Sequence, residues 1–449
     1  MIGADRGTAG GSGSRRRAYL AVVLLVAVTT SGAGVASPGG LGGLPGATVV
    51  GGESAAAVAA AQGDDPVRVG VIGSAFAPER GAVAQRVVAQ HDVGGGLGWG
   101  RPTAHDTAVA EVVAERSPSA ALYLAGVGSR PTADRYAAAV EWLLEREVDV
   151  IVDAGSYFPR TAAGLERFEA AARSVSAAGA VFVTSAGNYA DRHWRGSTPA
   201  DDWVQFRTGV TRNRLAATDG RVAGPVTLRL YWQGEADYDL YLYRDVTDGP
   251  DHLVARSVRE TGTAEAIDTQ VRPGDYYVRV HADEGTAPVD LFAARHDLTH
   301  AAGGGGTLPP ATAPGVVSVG AVTNGGTVAS YSGDGDVSAV DTVVTDAAGE
   351  FRGTSAATPV VAGTVTEVVA TTDGRLSPGE VETIIRETAD GEYRQLDPDA
   401  ALARANRVGN WSRPSRRTGS RDTASTGADG DETDGNDTGN ETDGTNEAD

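Results

Sequence analysis

Cysteine is absent from the 449 residues. That excludes disulfides, thiolate metal sites and a cysteine nucleophile, and it leaves the compartment open. Lysine is absent too, so all 38 basic side chains are arginine. They are outnumbered by 59 acids, for a formal net charge of -21. A protein that binds phosphate backbones collects the opposite sign, so this balance argues against a nucleic-acid partner. Large aromatics are scarce, at 6%, and there is one methionine. High acidity with abundant Ala, Gly, Val and Thr suggests adaptation to high salt, where repulsion among surface carboxylates is screened. The length gives room for more than one domain and a sizeable core.

Long apolar runs are also missing, apart from one near the N-terminus. Ser14-Arg15-Arg16-Arg17-Ala18-Tyr19-Leu20 precedes an apolar stretch from Ala21 to Val28. A small-residue segment ending near Val35-Ala36-Ser37 follows. This is the order of an export signal, with Arg16-Arg17-x-Tyr19-Leu20 similar to a twin-arginine signal. The apolar stretch is short for a bilayer span of ~20 residues. We therefore expect a signal over 1–36, no stable membrane insertion after its cleavage, and a secreted or cell-surface protein. A flexible Gly/Ala/Pro-rich segment is expected over 37–65.

What the chain does contain is organised around Gly353-Thr354-Ser355-Ala356-Ala357-Thr358-Pro359-Val360-Val361-Ala362-Gly363. Small and β-branched residues make this a tightly packed, buried helix, with Pro359 expected near its first turn. Ser355 falls where a loop enters that helix. There a hydroxyl lies close to free backbone N–H groups and the positive end of the helix dipole. Such a position suits a nucleophile whose attack creates an oxyanion. The plainer alternative is a buried helix capped by Thr354 or Ser355.

Upstream segments alternate between strand and helix. Val67 to Ile72 reads as a strand, as do Ser117 to Tyr123, Asp149 to Asp153 and Ala180 to Thr184. Helical patterns cover residues 136–146 and 161–178 between them. This alternation predicts a parallel sheet with helices on both faces. Between Ala186-Gly187-Asn188 and Ser355 the chain turns all-β in character. Alternating runs at 226–232, 239–243 and 277–280 are punctuated at Gly249-Pro250 and Pro273-Gly274. Residues 200–298 are expected to form an inserted β-sandwich. The segments Asp237 to Leu242 and Gly274 to Val278 are similar to the pre-peptidase C-terminal type of sandwich. Asp237 and Asp239 are a candidate calcium pair at its rim, and two solvated turn acids are the alternative.

The Ser355 segment resembles the Gly-Thr-Ser-x-Ala-x-Pro-x-Val-Ala-Gly signature of subtilisin-like serine peptidases. The resemblance extends over 67–188 and 306–405. It implies an α/β, doubly wound parallel sheet, divided into 67–198 and 306–405 by the insertion. An acidic tail, expected to be disordered, follows over 407–449. The resemblance implies that Ser355 is the nucleophile, that His105 is the general base, and that Asn188 donates to the oxyanion. It also implies a peptide or protein substrate and no required cofactor, with calcium left open.

Two departures go with it. The segment before residue 67 is short for the folded inhibitory propeptide that such enzymes commonly carry. And Gly73 stands where the family has the triad aspartate, so the histidine lacks its orienting carboxylate. Asp153, at the end of a neighbouring parallel strand, is the favoured substitute because strand ends converge on the active crevice. Asp92 and Asp106 are the other candidates. Two function classes remain open here: a serine endopeptidase, and an impaired homologue that binds peptides or proteins in the same groove.

Overall fold

The computed structural model describes residues 47–48, 66–93, 103–118, 120–217, 220–302 and 305–411. The expected export signal, nearly all of the segment 37–65 and the tail from 412 onward lie outside the described residues.

In chain order the first elements are β1 (Ala47–Thr48), β2 (Arg68–Gly73), β3 (Val87–Asp92), α1 (Ala104–Arg116) and β4 (Ala121–Gly126). They are followed by α2 (Ala133–Leu144), β5 (Val150–Asp153), α3 (Ala162–Ala177) and β6 (Val181–Ser185). The strands join one sheet in the order β1-β3-β4-β2-β5-β6, which two later strands extend. All pairings among β2 to β6 are parallel, and only β1 pairs antiparallel, with β3. Strand side chains alternate between two cores. Val69, Val71, Val150, Val152 and Val183 face one layer. Ile72, Ile151 and Phe182 face the other. The first layer is closed by α1 with Val109 and Val113, the second by α2 and α3 with Leu143 and Phe168. This two-sided burial is why the strands read as continuous apolar runs. β3 was not apparent as a strand in the sequence. Its residues past Val87 are only half-buried, so no clean alternation marks it.

The chain then leaves the sheet for β7 (His193–Gly196), β8 (Asp202–Trp203), β9 (Asn213–Ala216), β10 (Val222–Trp232) and β11 (Asp237–Asp245). β12 (His252–Ser257), β13 (Ala264–Glu284), β14 (Val289–Ala293) and β15 (Asp297–Leu298) complete this part. All nine strands belong to a separate, wholly antiparallel sheet. It begins at His193, ahead of the expected 200, because β7 pairs with β14 at its edge. Pro273-Gly274, expected to separate two strands, instead lies inside the 21-residue β13. Residues before that pair run beside β10, and those after it run beside β11. The proline's missing N–H falls where the strand changes partners, with a register shift opposite Val222 and Gly224. Through this crossing β13 carries the sheet around one core that includes Leu228, Leu230, Leu240, Leu242, Val278 and Leu291.

β16 (Val317–Val322) and β17 (Val337–Val340) return to the parallel sheet beside β6. A hairpin of β18 (Thr342–Thr345) and β19 (Gly349–Arg352) then leads into α4 (Thr354–Thr371), followed by α5 (Pro378–Thr388) and α6 (Pro398–Trp411). α4 is buried almost throughout, from Thr354 to Val369. Pro359 is its sixth residue rather than a first-turn residue, so the carbonyl of Ser355 lacks its usual i+4 donor. Residues 407–411, expected to belong to the polar tail, are instead helical, because α6 continues to Trp411. No described helix is long and apolar enough to cross a membrane.

Candidate active site

The site residues lie where β2, β5 and β6 end and where α1 and α4 begin. Ser355 is the second residue of α4 and only 8% exposed. Its backbone N–H therefore has no acceptor within the helix. Gly353 caps the helix at φ 116°, a conformation that favours glycine. A Cβ there would also meet the Asn188 side chain at 3.0 Å. Ser355 Oγ donates to the carbonyl of Ala154 at 3.1 Å, just past β5. Among the described residues no hydrogen bond joins it to His105.

Asn188, just beyond β6, is oriented by α4. Its Oδ1 accepts from both the backbone N–H and the Oγ1 of Thr354, each at 3.0 Å. Thr354 Oγ1 is itself 2.8 Å from Ser185 Oγ, which accepts from Gly187 N at 3.0 Å. Both Thr354 donors are on Oδ1, and the amide N–H₂ donates no hydrogen bond among the described residues. Thr354 and Ser185 were missed as positioning residues in the sequence. Their only signal was two hydroxyls flanking motifs already singled out.

His105, the second residue of α1, keeps a 45% exposed side chain. Its ring stands edge-on to Phe351 in β19, with centroids 5.3 Å apart. Phe351 lies four positions before Ser355, so the imidazole packs against the strand that leads into the Ser355 segment. His105 Nδ1 lies 2.8 Å from Asp106 Oδ1. Neighbouring helix residues ordinarily diverge, but in a first turn both side chains can lean back toward the N-terminus.

Asp106 is buried. Its second oxygen accepts from Ser74 N at 2.7 Å, Thr103 Oγ1 at 2.7 Å and Ala75 N at 3.3 Å. Burial pushes its pKa up, but the bond and charge of His105, with Thr103 and Ala75 N–H, outweigh that and hold it below the ordinary value. Thr103 also caps α1 by accepting from Asp106 N. The sequence signal for this was Thr103-x-x-Asp106, a capping spacing. A Cβ on Gly73 would lie 2.8 Å from Asp106 Cβ and 2.9 Å from its carboxyl carbon. The Asp106 carboxylate thus fills the space a side chain at residue 73 would need.

Asp153, the favoured substitute in the sequence, is engaged elsewhere. Its oxygens accept from Tyr136 OH at 2.8 Å, Gly155 N at 2.8 Å and Tyr157 OH at 3.2 Å. Burial raises its pKa to about 6, against the lowering effect of those three donors. The carboxylate against His105 is therefore Asp106, because two tyrosines claim Asp153. Asp92 accepts from Gln90 at 3.5 Å and lies against Gly126. Glu111, also on α1, is buried and accepts from Asp346 N at 2.5 Å and Ala347 N at 2.9 Å. It ties the histidine's helix to the hairpin that leads into Ser355.

The antiparallel sheet grips the loop beyond Ala154. Three successive carbonyls, of Phe158, Pro159 and Arg160, accept from Arg229 Nε (3.0 Å), Tyr231 OH (2.6 Å) and Arg259 Nη1 (3.0 Å). Asp237 and Asp239 lie on β11, where Asp239 accepts from Tyr241 OH at 2.6 Å. Burial and the neighbouring Asp283 raise the pKa of Asp237, and burial raises that of Asp239 against its bond from Tyr241. Among the described residues no three His, Cys, Asp or Glu side chains gather to hold a metal, so this pair lacks a third such ligand.

The fold defined by this architecture is the α/β fold of subtilisin-like proteases. The Clostridium perfringens CspB protease is similar, with a TM-score of 0.57 at 13% identity over 76% of this chain and 95% of that one. The nisin leader peptidase NisP from Lactococcus lactis gives 0.45 at 13% identity over 76% and 88%. The Subtilase family model matches residues 301–420, the part that contains Ser355. No curated protein matches the sequence.

Proposed function

We propose that this chain is a subtilisin-type serine endopeptidase in which the triad carboxylate has moved from the end of β2 to α1. Ser355 Oγ attacks the substrate carbonyl and passes its proton to His105 Nε2. Asp106 holds Nδ1–H and stabilises the imidazolium that forms. The oxyanion is bound by Asn188 Nδ2 and the Ser355 N–H. The amine leaves with the proton from His105, and water then hydrolyses the acyl-enzyme by the same route. For attack, Ser355 Oγ must exchange the Ala154 carbonyl for His105 Nε2, and catalytic contacts commonly tighten only with substrate bound. The observation that carries this reading is the 2.8 Å contact between His105 and an aspartate seated over Gly73.

The second reading, a homologue that binds peptides or proteins without cutting them, draws its support from that same Ser355 contact with Ala154. A fluorophosphonate probe separates the two. We expect labelling of native protein in high salt, none of Ser355→Ala, and a large drop in rate for Asp106→Ala. An unlabelled native chain would sink the peptidase reading. The arginine-pair signal and the acidic composition support an exported enzyme working in brine. Mass spectrometry of the mature N-terminus and activity across a salt series test these two points.

A further inference from the structure

A cavity of about 1110 Å³ lies between the parallel-sheet part and the antiparallel sheet. It starts beside Ser156 and Tyr189, two residues past Ala154 and one past Asn188, so it continues the candidate groove. Its lining holds four arginines, Arg130, Arg160, Arg229 and Arg295, against one acid, Asp268. Asp268 is already shared: Arg229 binds it at 3.0 Å, and Arg160 pairs with it too. Arg229 is buried, and its remaining N–H groups reach the carbonyls of Phe158, Leu228 and Ile267. Arg130 and Arg295 are exposed and have no acidic partner among the described residues. In a chain of net charge -21, this is a locally cationic recess with aromatic walls at Tyr157 and Phe168.

The recess is built before any ligand arrives. The three carbonyl bonds from Arg229, Tyr231 and Arg259 fasten the antiparallel sheet to the loop that forms the opposite wall. Phe158 and Tyr189, edge-on at 5.1 Å, pack with Tyr231 and Phe292 behind that loop. Preformed walls reduce the ordering that a bound segment must undergo.

Resting on the peptidase reading, we propose that this cavity receives an acidic side chain of the substrate, so that peptides with Asp or Glu flanking the scissile bond are preferred. Arg130 and Arg295 would pair with that carboxylate by charge-assisted hydrogen bonds. Pairs at a part-open mouth contribute modestly, so the expected preference is about three- to tenfold.

The test uses the full chain and a quenched fluorogenic peptide library to find the sensitive position. Matched Glu, Gln and Arg peptides at that position follow. We expect kcat/KM to fall in the order Glu, Gln, Arg, and the ratio of Glu to Gln to approach one in the Arg130→Gln/Arg295→Gln double variant. Raised salt should shrink the ratio. Binding of the same peptides to Ser355→Ala, by fluorescence anisotropy, should show the same order without turnover. Cleavage with equal rates for all three peptides would overturn the inference and leave the peptidase reading standing. Absence of both cleavage and probe labelling would sink the peptidase reading, while anisotropy still judges the cavity. A preference that emerges only after removal of residues 422–449, which carry ten acids, would make the chain's own tail the occupant and overturn the proposal.

Discussion

Asp106 and Asp153 occupy neighbouring places at one end of the parallel sheet, yet their surroundings drive them in opposite directions. Asp106 faces the end of β2, and Asp153 ends β5, which pairs with β2 through Ile72. Both are buried. Asp106 takes a histidine on one oxygen and two backbone N–H groups with a threonine hydroxyl on the other, and its pKa is held low. Asp153 takes two tyrosines and one backbone N–H, and burial wins, raising its pKa to about 6. Burial alone therefore does not decide the charge of a carboxylate; the number and polarity of its donors do. The one whose pKa is lowered is the one beside the imidazole.

The largest expected effect breaks the first half of this comparison. Asp106→Asn should lower turnover about 10⁴-fold, the scale seen when a triad carboxylate is removed. Steady-state kinetics on a fluorogenic peptide checks it, and a loss below tenfold would show that Asp106 does not orient His105. Gly73→Asp alone should not improve the enzyme, because its Cβ would meet Asp106 Cβ at 2.8 Å. It should destabilise the fold by about 2 kcal/mol or more through overpacking and a second buried charge, read as a lower unfolding midpoint. Joined with Asp106→Gly, which removes the Cβ as well as the carboxylate, the same substitution restores a carboxylate to the vacated space. Turnover should then exceed that of Asp106→Gly alone by at least about tenfold.

The second half is sharpened by pH. The raised pKa of Asp153 favours its protonated form in the folded state. Its contribution to stability is complete below the unfolded value of 3.8 and is lost as pH rises through about 6. That difference is worth ~3 kcal/mol, so the urea midpoint of Asp153→Asn should depend less on pH across this window than that of the native chain. Equal pH dependence would remove the burial argument. Asp106 acts with the opposite sign: its lowered pKa stabilises above 3.8, and that is lost in acid. The smallest effect belongs to Tyr231→Phe, which removes the bond to Pro159 O. About 1 kcal/mol of loop anchoring should go, raising KM several-fold while kcat moves less.

Much of the parallel-sheet part was legible because its strands and helices are local patterns of apolar spacing. The Ser355 helix was legible for the same reason, down to the small residues that let it sit among α1, β5 and β6. β13 was not, because Pro273-Gly274 looks like a break unless the change of partner strand is known. The acid beside His105 was the least legible feature. Its position on α1 gave no more signal than the capping pattern at Thr103, and strand-end logic favoured Asp153. Nothing in the sequence near Asp153 announces that Tyr136, 17 positions upstream, will donate to it.

The order of strands and helices, the all-β insertion and the segment around Ser355 followed from the sequence, since each depends on side chains a few positions apart. Which carboxylate reaches the imidazole, how Thr354 turns the Asn188 amide, and how the antiparallel sheet walls the arginine-lined cavity were decided only by tertiary structure. Those contacts join residues far apart in the chain or, for Asp106, depend on the empty space that Gly73 leaves across the crevice.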